Sequence, residues 1–303
     1  IYGAYYYYEN PKDIIDSLSD NIEKGRIEID AIEFDGPYFE DIDNRAINLY
    51  LIRAWKTRAI MFKADGSVTV PADMLYKKNV LTIRGSFKPV TKLNVDMIEQ
   101  GKNAFCQLDD VELENTIALA EISLNDTHGH DANVPEEDLI ARVQLLNSLG
   151  YNVMVSDYTR YFSLRAYFRQ YTQLQIGIVV GMMNIKQIFN EDSYRGVEGG
   201  ILEGFGKLFP DHTRLFVYPE LNEEGELNDF TKVTVPPHLR FLYQHLLENG
   251  FIDGIECSDE GLFKIYSREV LKQIKSGAKG WGKLLPDGIA QEIIDNRMFG
   301  CKG

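Results

Sequence analysis

Apolar residues are arranged along most of the chain in two alternating patterns. Some segments carry apolar residues every three to four positions, as Ile14, Ile15, Leu18 and Ile22 do within residues 11–24, which is typical of one buried helix face. Other segments are short apolar runs bounded by glycine, proline or aspartate, which are typical of buried strands. Because the two patterns alternate, the sequence predicts an α/β protein built from strand and helix units.

The pattern predicts eight strands, over residues 27–34, 59–62, 80–84, 117–124, 152–156, 176–181, 214–218 and 251–256. Helices are predicted around them, with one or two in the seventh segment, over residues 11–24, 45–55, 72–77, 94–105, 136–149, 162–171, 185–209, 238–249 and 259–275. This organisation predicts a tyrosine-rich, extended N-terminal arm, an α/β domain and a C-terminal tail with a short helix, over residues 1–10, 11–276 and 277–303.

The alternation of strands and helices favours parallel strands joined by right-handed crossovers. Eight consecutive units are the number that closes a (β/α)8 barrel, so a TIM-like barrel is the first expectation for residues 11–276. A doubly wound parallel sheet is the alternative, because the same alternation produces it and the short helix over residues 72–77 fits a barrel wall poorly.

Composition narrows the expected partners and location. The net charge of −14 and the pI near 4.9 disfavour nucleic acid as a partner, because phosphate backbones are bound by clustered lysines and arginines. The longest apolar run, residues 176–183, is less than half of the roughly 20 residues that a membrane helix needs. Three cysteines without a CxxC pair predict neither a disulfide framework nor a zinc site. With no basic leader at Ile1, we expect a cytoplasmic protein without a membrane partner.

Several carboxylates follow the predicted strands. In parallel α/β proteins, ligands bind where the carboxyl ends of the strands meet. The candidate binding residues at these ends are Glu33, Asp35, Glu121, Asp157 and Glu220. Together with nearby basic residues, such carboxylates could hold a divalent cation and a phosphorylated or carboxylated ligand. The alternative is that the loops of an acidic protein are acidic without any site.

Positive charge is concentrated around the third predicted strand. Five basic residues fall within sixteen positions, namely Lys77, Lys78, Arg84, Lys88 and Lys92. Arginine pairs well with phosphate or carboxylate, and a turn from strand to helix adds free backbone N–H groups. We therefore expect Arg84, Ser86 and Lys88 to hold an anion, and the alternative is a surface patch that pairs with neighbouring acids.

A glycine-led turn directly follows this strand, where residues 85–91 read Gly-Ser-Phe-Lys-Pro-Val-Thr. The turn resembles the first half of the nucleotidylyltransferase signature G-S-F-x-P-x-T-x-G-H, in which the turn cradles nucleotide phosphates and the closing His stabilises the transferred phosphate. The resemblance implies that the turn, including Thr91, binds a nucleotide. The chain departs from the family at Leu93 and Asn94, where the family has Gly-His, and in having the turn after the third predicted strand rather than the first. No second signature of the Ser-x-x-x-x-Arg type follows.

Nearly the whole chain also resembles a bacterial α/β family. The likeness is carried by QLDDVELENTIALAEI, IGIVVG, EGGILEGFGKLF, RLFVYPE and PHLRFLYQHLLENGFIDGI. Members of that family carry the labels nicotinamide-nucleotide adenylyltransferase and TonB-dependent receptor. The first label agrees with the turn at residues 85–91, whereas the alternation of strands and helices contradicts the second. The resemblances together imply a degenerate, nucleotidylyltransferase-like protein that binds a nucleotide or another phosphorylated small molecule.

One loop combines side chains that bind metals. Residues 126–131 read Asp-Thr-His-Gly-His-Asp, and they hold two of the five histidines of the chain. Imidazole and carboxylate groups are common ligands of transition metals, so His128, His130 and Asp131 are candidate metal ligands. The spacing specifies no particular metal, and a polar loop without a metal is the alternative.

The chain begins with five tyrosines in its first ten residues. Exposed aromatic surface is typical of interface cores, so self-association is expected. The second functional hypothesis is therefore a scaffold protein that forms homo-oligomers or filaments through residues 1–10 and the segment around Trp281. The sequence leaves open whether the protein is an enzyme, since it contains neither a GxSxG nor an HExxH motif.

Overall fold

The computed structural model describes residues 2–18, 23, 26–124, 134–210 and 212–302. Its strands, in chain order, are β1 (Ala59–Phe62), β2 (Val68–Thr69), β3 (Asn79–Arg84), β4 (Thr116–Ser123), β5 (Asn152–Ser156), β6 (Ile176–Gly181), β7 (Thr213–Tyr218), β8 (Glu220–Leu221), β9 (Leu227–Asn228) and β10 (Ile252–Gly254). Strands β8 and β9 form a separate hairpin, and the other eight form one central sheet.

The central sheet is open and mostly parallel. Its strand order is β10-β7-β6-β3-β4-β5-β1-β2, with β1 antiparallel to β5 and β2 antiparallel to β1. The remaining strands are parallel, and numbering them along the chain gives the spatial order 3-2-1-4-5-6 of doubly wound dinucleotide-binding folds. The prediction of a TIM-like barrel is therefore wrong, because β10 and β2 end the sheet instead of pairing. The predicted alternative, a doubly wound parallel sheet, is confirmed.

Helices cover both faces of this sheet. They are α1 (Tyr2–Tyr6), α2 (Pro11–Ser17), α3 (Asn44–Arg53), α4 (Pro71–Leu75), α5 (Lys92–Phe105), α6 (Glu136–Ser148), α7 (Tyr161–Phe168), α8 (Met182–Ile188), α9 (Gly200–Leu208), α10 (Arg240–Glu248), α11 (Ser267–Ser276) and α12 (Ile289–Asp295). One buried cluster joins the sheet to α3, α5, α6, α11 and α12, and a second joins its other face to α4 and α7–α10. The molecule thus has three layers. No helix among the described residues is long and apolar enough to cross a membrane.

Residues 27–34 do not form the strand that their alternating pattern predicts. Side chains of α3 take the place of a neighbouring strand. The Asn48 side-chain oxygen accepts a hydrogen bond from the Ile32 N–H at 3.0 Å, and its amide donates to the Ile32 carbonyl at 2.7 Å. Asn44 binds both backbone groups of Phe34 in the same way, at 2.9 and 3.1 Å. The prediction of a first strand here is wrong, because helix side chains satisfy its backbone.

The N-terminal residues also differ from the predicted extended arm. Tyr2–Tyr6 form a short helix, continued by a hydrogen bond of 2.8 Å from the Tyr7 N–H to the Gly3 carbonyl. The five tyrosines of this region are exposed, and the rings of Tyr8 and Tyr38 lie 6.4 Å apart. A run of adjacent aromatic residues has neither helical nor strand periodicity, which is why the pattern could not decide its conformation.

The C-terminal segment belongs to one layer of the core. Five of its apolar side chains are buried in the cluster that includes α5 and α6, namely Trp281, Leu285, Ile289, Ile293 and Met298. The predicted short helix is present as α12, and a hydrogen bond of 2.7 Å joins Gln144 of α6 to its Glu292. This segment therefore covers α6 from outside and helps to hold it against the sheet.

Candidate functional site

The site lies where the direction of chain winding reverses. Strand β3 is the first parallel strand and β6 the fourth, and the two are neighbours in the sheet. The chain leaves β3 into α5 on one face and leaves β6 into α8 on the other face. The crevice between their carboxyl ends is the place where doubly wound sheets bind ligands. Because residues 27–34 form no strand and β1 is antiparallel, the turn at residues 85–91 follows the first parallel strand, as it does in the family that the turn resembles.

The turn is held by packing and by a helix cap. The Phe87 ring is buried and folds over Gly85, where an added Cβ would lie 3.0 Å from the ring, so a larger residue would require the ring to shift. Thr91 caps α5: its hydroxyl accepts from the Asn94 N–H at 3.4 Å, and the Asn94 side chain accepts from the Thr91 N–H at 3.0 Å. Ser86 is exposed, and the N–H groups of Ser86 and Phe87 make no hydrogen bond to any residue that the structure describes.

Arg84 and Glu121 form a buried ion pair on one side of the turn. The Arg84 guanidinium donates to both carboxylate oxygens, at 2.5 and 3.1 Å, because parallel pairing of β3 with β4 brings the two residues opposite each other. The Ser156 hydroxyl donates to the same carboxylate at 2.5 Å, and Arg84 also donates to the Thr159 carbonyl at 3.1 Å. The Glu121 side chain is fully buried, so the pair fixes the ends of three strands.

A cavity of about 240 Å³ opens beside Arg84. Aromatic and polar side chains line it, including Tyr161, Phe162, Asn184, Gln187, Ser193 and Tyr194. The guanidinium of Arg84 lies 4.8 Å from the centre of the Tyr161 ring. Asn184 stands just beyond β6, and its carboxamide makes no hydrogen bond within the described part of the chain. The cavity therefore combines flat apolar walls with a donor and acceptor group at its mouth.

A second ionic cluster lies on the other side of the turn. The Lys88 ammonium lies 3.1 Å from the Asp138 carboxylate, and Arg142 forms an ion pair with the same carboxylate. Arg142 also donates to the Ser86 carbonyl at 3.3 Å, so α6 contacts the turn directly. Of the five predicted basic residues, Lys77 and Lys78 precede β3 and lie at its opposite end, away from this cluster.

The predicted carboxylates do not converge on the crevice. Asp157 pairs with Arg58 at 2.8 Å, and burial raises the pKa of this carboxyl although Arg58 opposes the shift. Glu220 pairs with Lys186 at 3.2 Å near the hairpin β8–β9. Glu33 lines another, polar cavity of about 730 Å³ beside the β1–β2 edge, and Asp35 is exposed nearby in the chain.

The predicted metal ligands His128, His130 and Asp131 lie outside the described residues. Among the residues that are described, no group of three or more His, Cys, Asp or Glu side chains could hold a metal ion. Of the predicted carboxylates, Glu121 and Asp157 are already paired with arginines. A divalent cation is therefore retained only as an expectation from the sequence.

Sequence reasoning missed three residues of the site. Tyr161 lines the cavity from the start of α7, and Asn184 was visible only as a polar residue beyond a strand. Arg142 carried one signal that could have been used, because an acid and an arginine four residues apart on α6 predict an ion pair. Its contact with the turn across 56 residues is a tertiary feature that no local pattern contains.

Comparisons with known proteins give distant likenesses among solved structures. No family model matches the chain, and no curated protein matches it. Among solved structures, nicotinic acid mononucleotide adenylyltransferase from Plasmodium falciparum is similar in its complexes with APC and NaAD. The TM-scores are 0.42 and 0.43 and the identities 13% and 14%, covering 74% of this chain and 98% of that one in each case. At these values the likeness carries no argument about activity, and the function is inferred from the site.

Proposed function

We propose that the protein binds a nucleotide or another phosphorylated small molecule in the crevice at the carboxyl ends of β3 and β6. The observation that carries the proposal is the position of the turn 85–91 at this crevice, next to a cavity that Arg84 reaches. Doubly wound sheets bind their ligands at this point. In this proposal the backbone N–H groups of the turn bind an anion, and the cavity holds an uncharged ring.

The cavity favours a flat, partly polar ring. Tyr161, Phe162 and Tyr194 offer aromatic faces, and the volume of about 240 Å³ leaves room for a group of limited size. The Asn184 carboxamide has a donor and an acceptor without partners in the described chain, so it can read one polar edge of a base. These features support a nucleoside or a similar ring, not an acyl chain.

The turn supplies the phosphate contacts. The N–H groups of Ser86 and Phe87 have no partner among the described residues, and the 14-residue helix α5 begins five residues after Phe87, at Lys92. Successive free N–H groups in a turn favour negative charge. Because Glu121 and Asp157 are both paired, a divalent cation would arrive with the phosphates instead of being held by these carboxylates.

Nucleotidylyl transfer is the finer possibility that the signature implies. Asn94 stands where the family has its closing His, and its side chain caps α5 with Thr91. A neutral amide that is already engaged supplies no positive charge to a transferred phosphate. We therefore propose binding, and not transfer, as the function.

The test is a thermal-shift screen of the purified chain with ATP, adenosine and sugar phosphates, each with and without Mg²⁺. A ligand at 100 times its Kd adds about 2.7 kcal/mol of stability, which raises Tm visibly. Asn184→Ala should weaken binding by about tenfold, because one hydrogen bond to a charged or polar ligand edge is lost. The matched control is Asn103→Ala, an exposed position on α5. No shift with any nucleotide, or equal affinity in both variants, would reject the proposal.

A scaffold function remains the second candidate, and one observation favours it. Tyr5 and Tyr38 expose 73% and 86% of their surface, which is unusual for large aromatic residues. If these rings mediate self-association, light scattering should show an oligomer that Tyr5→Ser combined with Tyr38→Ser dissociates. A monodisperse monomer at high concentration would exclude this candidate.

A further inference from the structure

Two cations share one carboxylate beneath the turn. Lys88 lies 3.1 Å from Asp138, and Arg142 forms an ion pair with the same side chain from one helical turn further along α6. The Lys88, Asp138 and Arg142 side chains are only 25%, 12% and 6% exposed. Among the described residues, the cluster therefore has two cations and one paired carboxylate, largely shielded from water, in a protein whose net charge is −14.

Arg142 is not fully satisfied by this arrangement. Its terminal nitrogens contact Asp138 and the Ser86 carbonyl, whereas its buried Nε has no hydrogen-bond partner in the described part of the chain. A buried guanidinium with an unused donor is costly unless another acceptor completes it. An additional anion would supply both the missing charge and the missing acceptor.

The backbone around the cluster also favours an anion. The 13-residue helix α6 begins at Glu136 after Pro135, which provides no side-chain cap. The N–H groups of Glu136 and Glu137 have no partner among the described residues. Because Asp138 lies in the first turn of α6, the cluster is at the positive end of the helix dipole. The side chains of the cluster and the backbone N–H groups of α6 therefore both favour a bound anion.

We propose that Lys88 and Arg142 form a subsite for one phosphate group of the ligand, and that Asp138 competes with this phosphate for the two cations. The identity of the ligand rests on the proposed function. Arg84 of the cavity and Ser86 above the subsite are two residues apart, so their Cα atoms are separated by at most about 7 Å. The proposal places the base of one nucleotide in the cavity and its phosphates at the subsite.

Because Asp138 competes with the phosphate, the proposal predicts whether removing its charge strengthens or weakens anion binding. A displaced Asp138 carboxylate stays near the start of α6, where negative charge is favourable. Replacing it with a neutral amide removes the competitor but keeps its size. Asp138→Asn should therefore bind a phosphate-class anion more tightly than the unmodified chain, whereas a purely structural role for Asp138 predicts equal or weaker binding.

The experiment measures the Kd of inorganic pyrophosphate by calorimetry for the full chain and three variants. We expect Asp138→Asn to bind about tenfold tighter and Lys88→Met about tenfold weaker, the usual worth of one charged contact. Glu114→Gln is the matched control, because it removes the same charge from an exposed position just before β4, at the opposite end of the sheet from the turn. Its effect should be small at 0.15 M salt, where charges are screened beyond about 8 Å.

Two outcomes overturn the subsite. One is unchanged or weaker pyrophosphate binding by a folded Asp138→Asn variant. If that variant fails to fold, the Lys88→Met variant decides, and unchanged binding there overturns the subsite. Measuring the binding of adenosine, which has no phosphate, tests the proposed function independently of the subsite. Adenosine binding that depends on Asn184 would leave the proposed function standing without the subsite, whereas tight pyrophosphate binding without any nucleoside or nucleotide binding would leave the subsite alone.

Discussion

The two ionic clusters that flank the turn differ in how their charges are balanced. Arg84 and Glu121 are matched one to one, and Glu121 is fully buried with three donors on its carboxylate. Lys88 and Arg142 share the single carboxylate of Asp138, which retains some exposure. A balanced and sealed pair has no capacity for another anion, whereas the shared carboxylate leaves charge for one. Charge balance, more than the presence of arginine, therefore separates the structural pair of this candidate site from the proposed subsite.

The largest expected effect comes from breaking the balanced pair. Glu121→Gln should lower the free energy of unfolding by about 3–5 kcal/mol, because it leaves the Arg84 guanidinium buried without a counter-charge. Urea denaturation measures this loss. The matched control is Glu114→Gln, an exposed position just before the same strand, which should stay within about 0.5 kcal/mol. A loss below about 1 kcal/mol in the buried variant would contradict a structural role for the pair.

A smaller effect on stability is expected for the ion pair of Asp157 and Arg58, in which Asp157 is nearly buried and Arg58 is half exposed. Burial raises the pKa of the Asp157 carboxyl above its ordinary value of 3.8, and the Arg58 charge only partly opposes this. The folded protein therefore holds this proton more tightly than the unfolded chain does. The stabilisation from the group is present below pH 3.8 and is lost as the pH rises through the raised pKa.

Unfolding measurements across this pH window test the sign. The stability of the unmodified chain relative to Asp157→Asn should fall as the pH rises from 3.8. A difference that grows with pH would show that the Arg58 contact outweighs burial. Such a result would show that Asp157 and Arg58 form a stabilising ion pair, as Arg84 and Glu121 do.

The smallest effect is expected at Glu220, whose partner Lys186 is on the surface. Both side chains are more than a third exposed, and such pairs contribute about 0–1 kcal/mol. Glu220→Gln should therefore shift Tm by a few degrees at most and leave nucleotide binding unchanged. A loss of binding in this variant would place Glu220 in the ligand site, as the sequence predicts.

The sequence predicted the parallel strands well, because each is a short buried run with clear boundaries. Ile176–Gly181 and Asn152–Ser156 were predicted with the bounds that the structure has. The order of the strands could not be predicted, since a barrel and an open sheet share the same local pattern. Residues 27–34 misled the prediction because Asn44 and Asn48 satisfy their backbone from a helix, which hydrophobic periodicity does not encode.

The site was predicted in part. Arg84, Ser86 and Lys88 were identified from local charge and from the turn, and all three lie at the crevice. Their partners depend on long-range pairing: Glu121 faces Arg84 through strand register, and Asp138 reaches Lys88 from α6. The sequence therefore indicated residues that come together at the crevice but not which charges neutralise each other.

The capping box at the start of α5 also determines how costly binding is. Thr91 and Asn94 hold each other's backbone, and Phe87 packs over Gly85, so the turn 85–91 is ordered by contacts within the chain. The conformational entropy of the turn is therefore lost during folding, and a ligand does not have to order it. The proposed binding of an anion at the turn therefore requires no loop to close first.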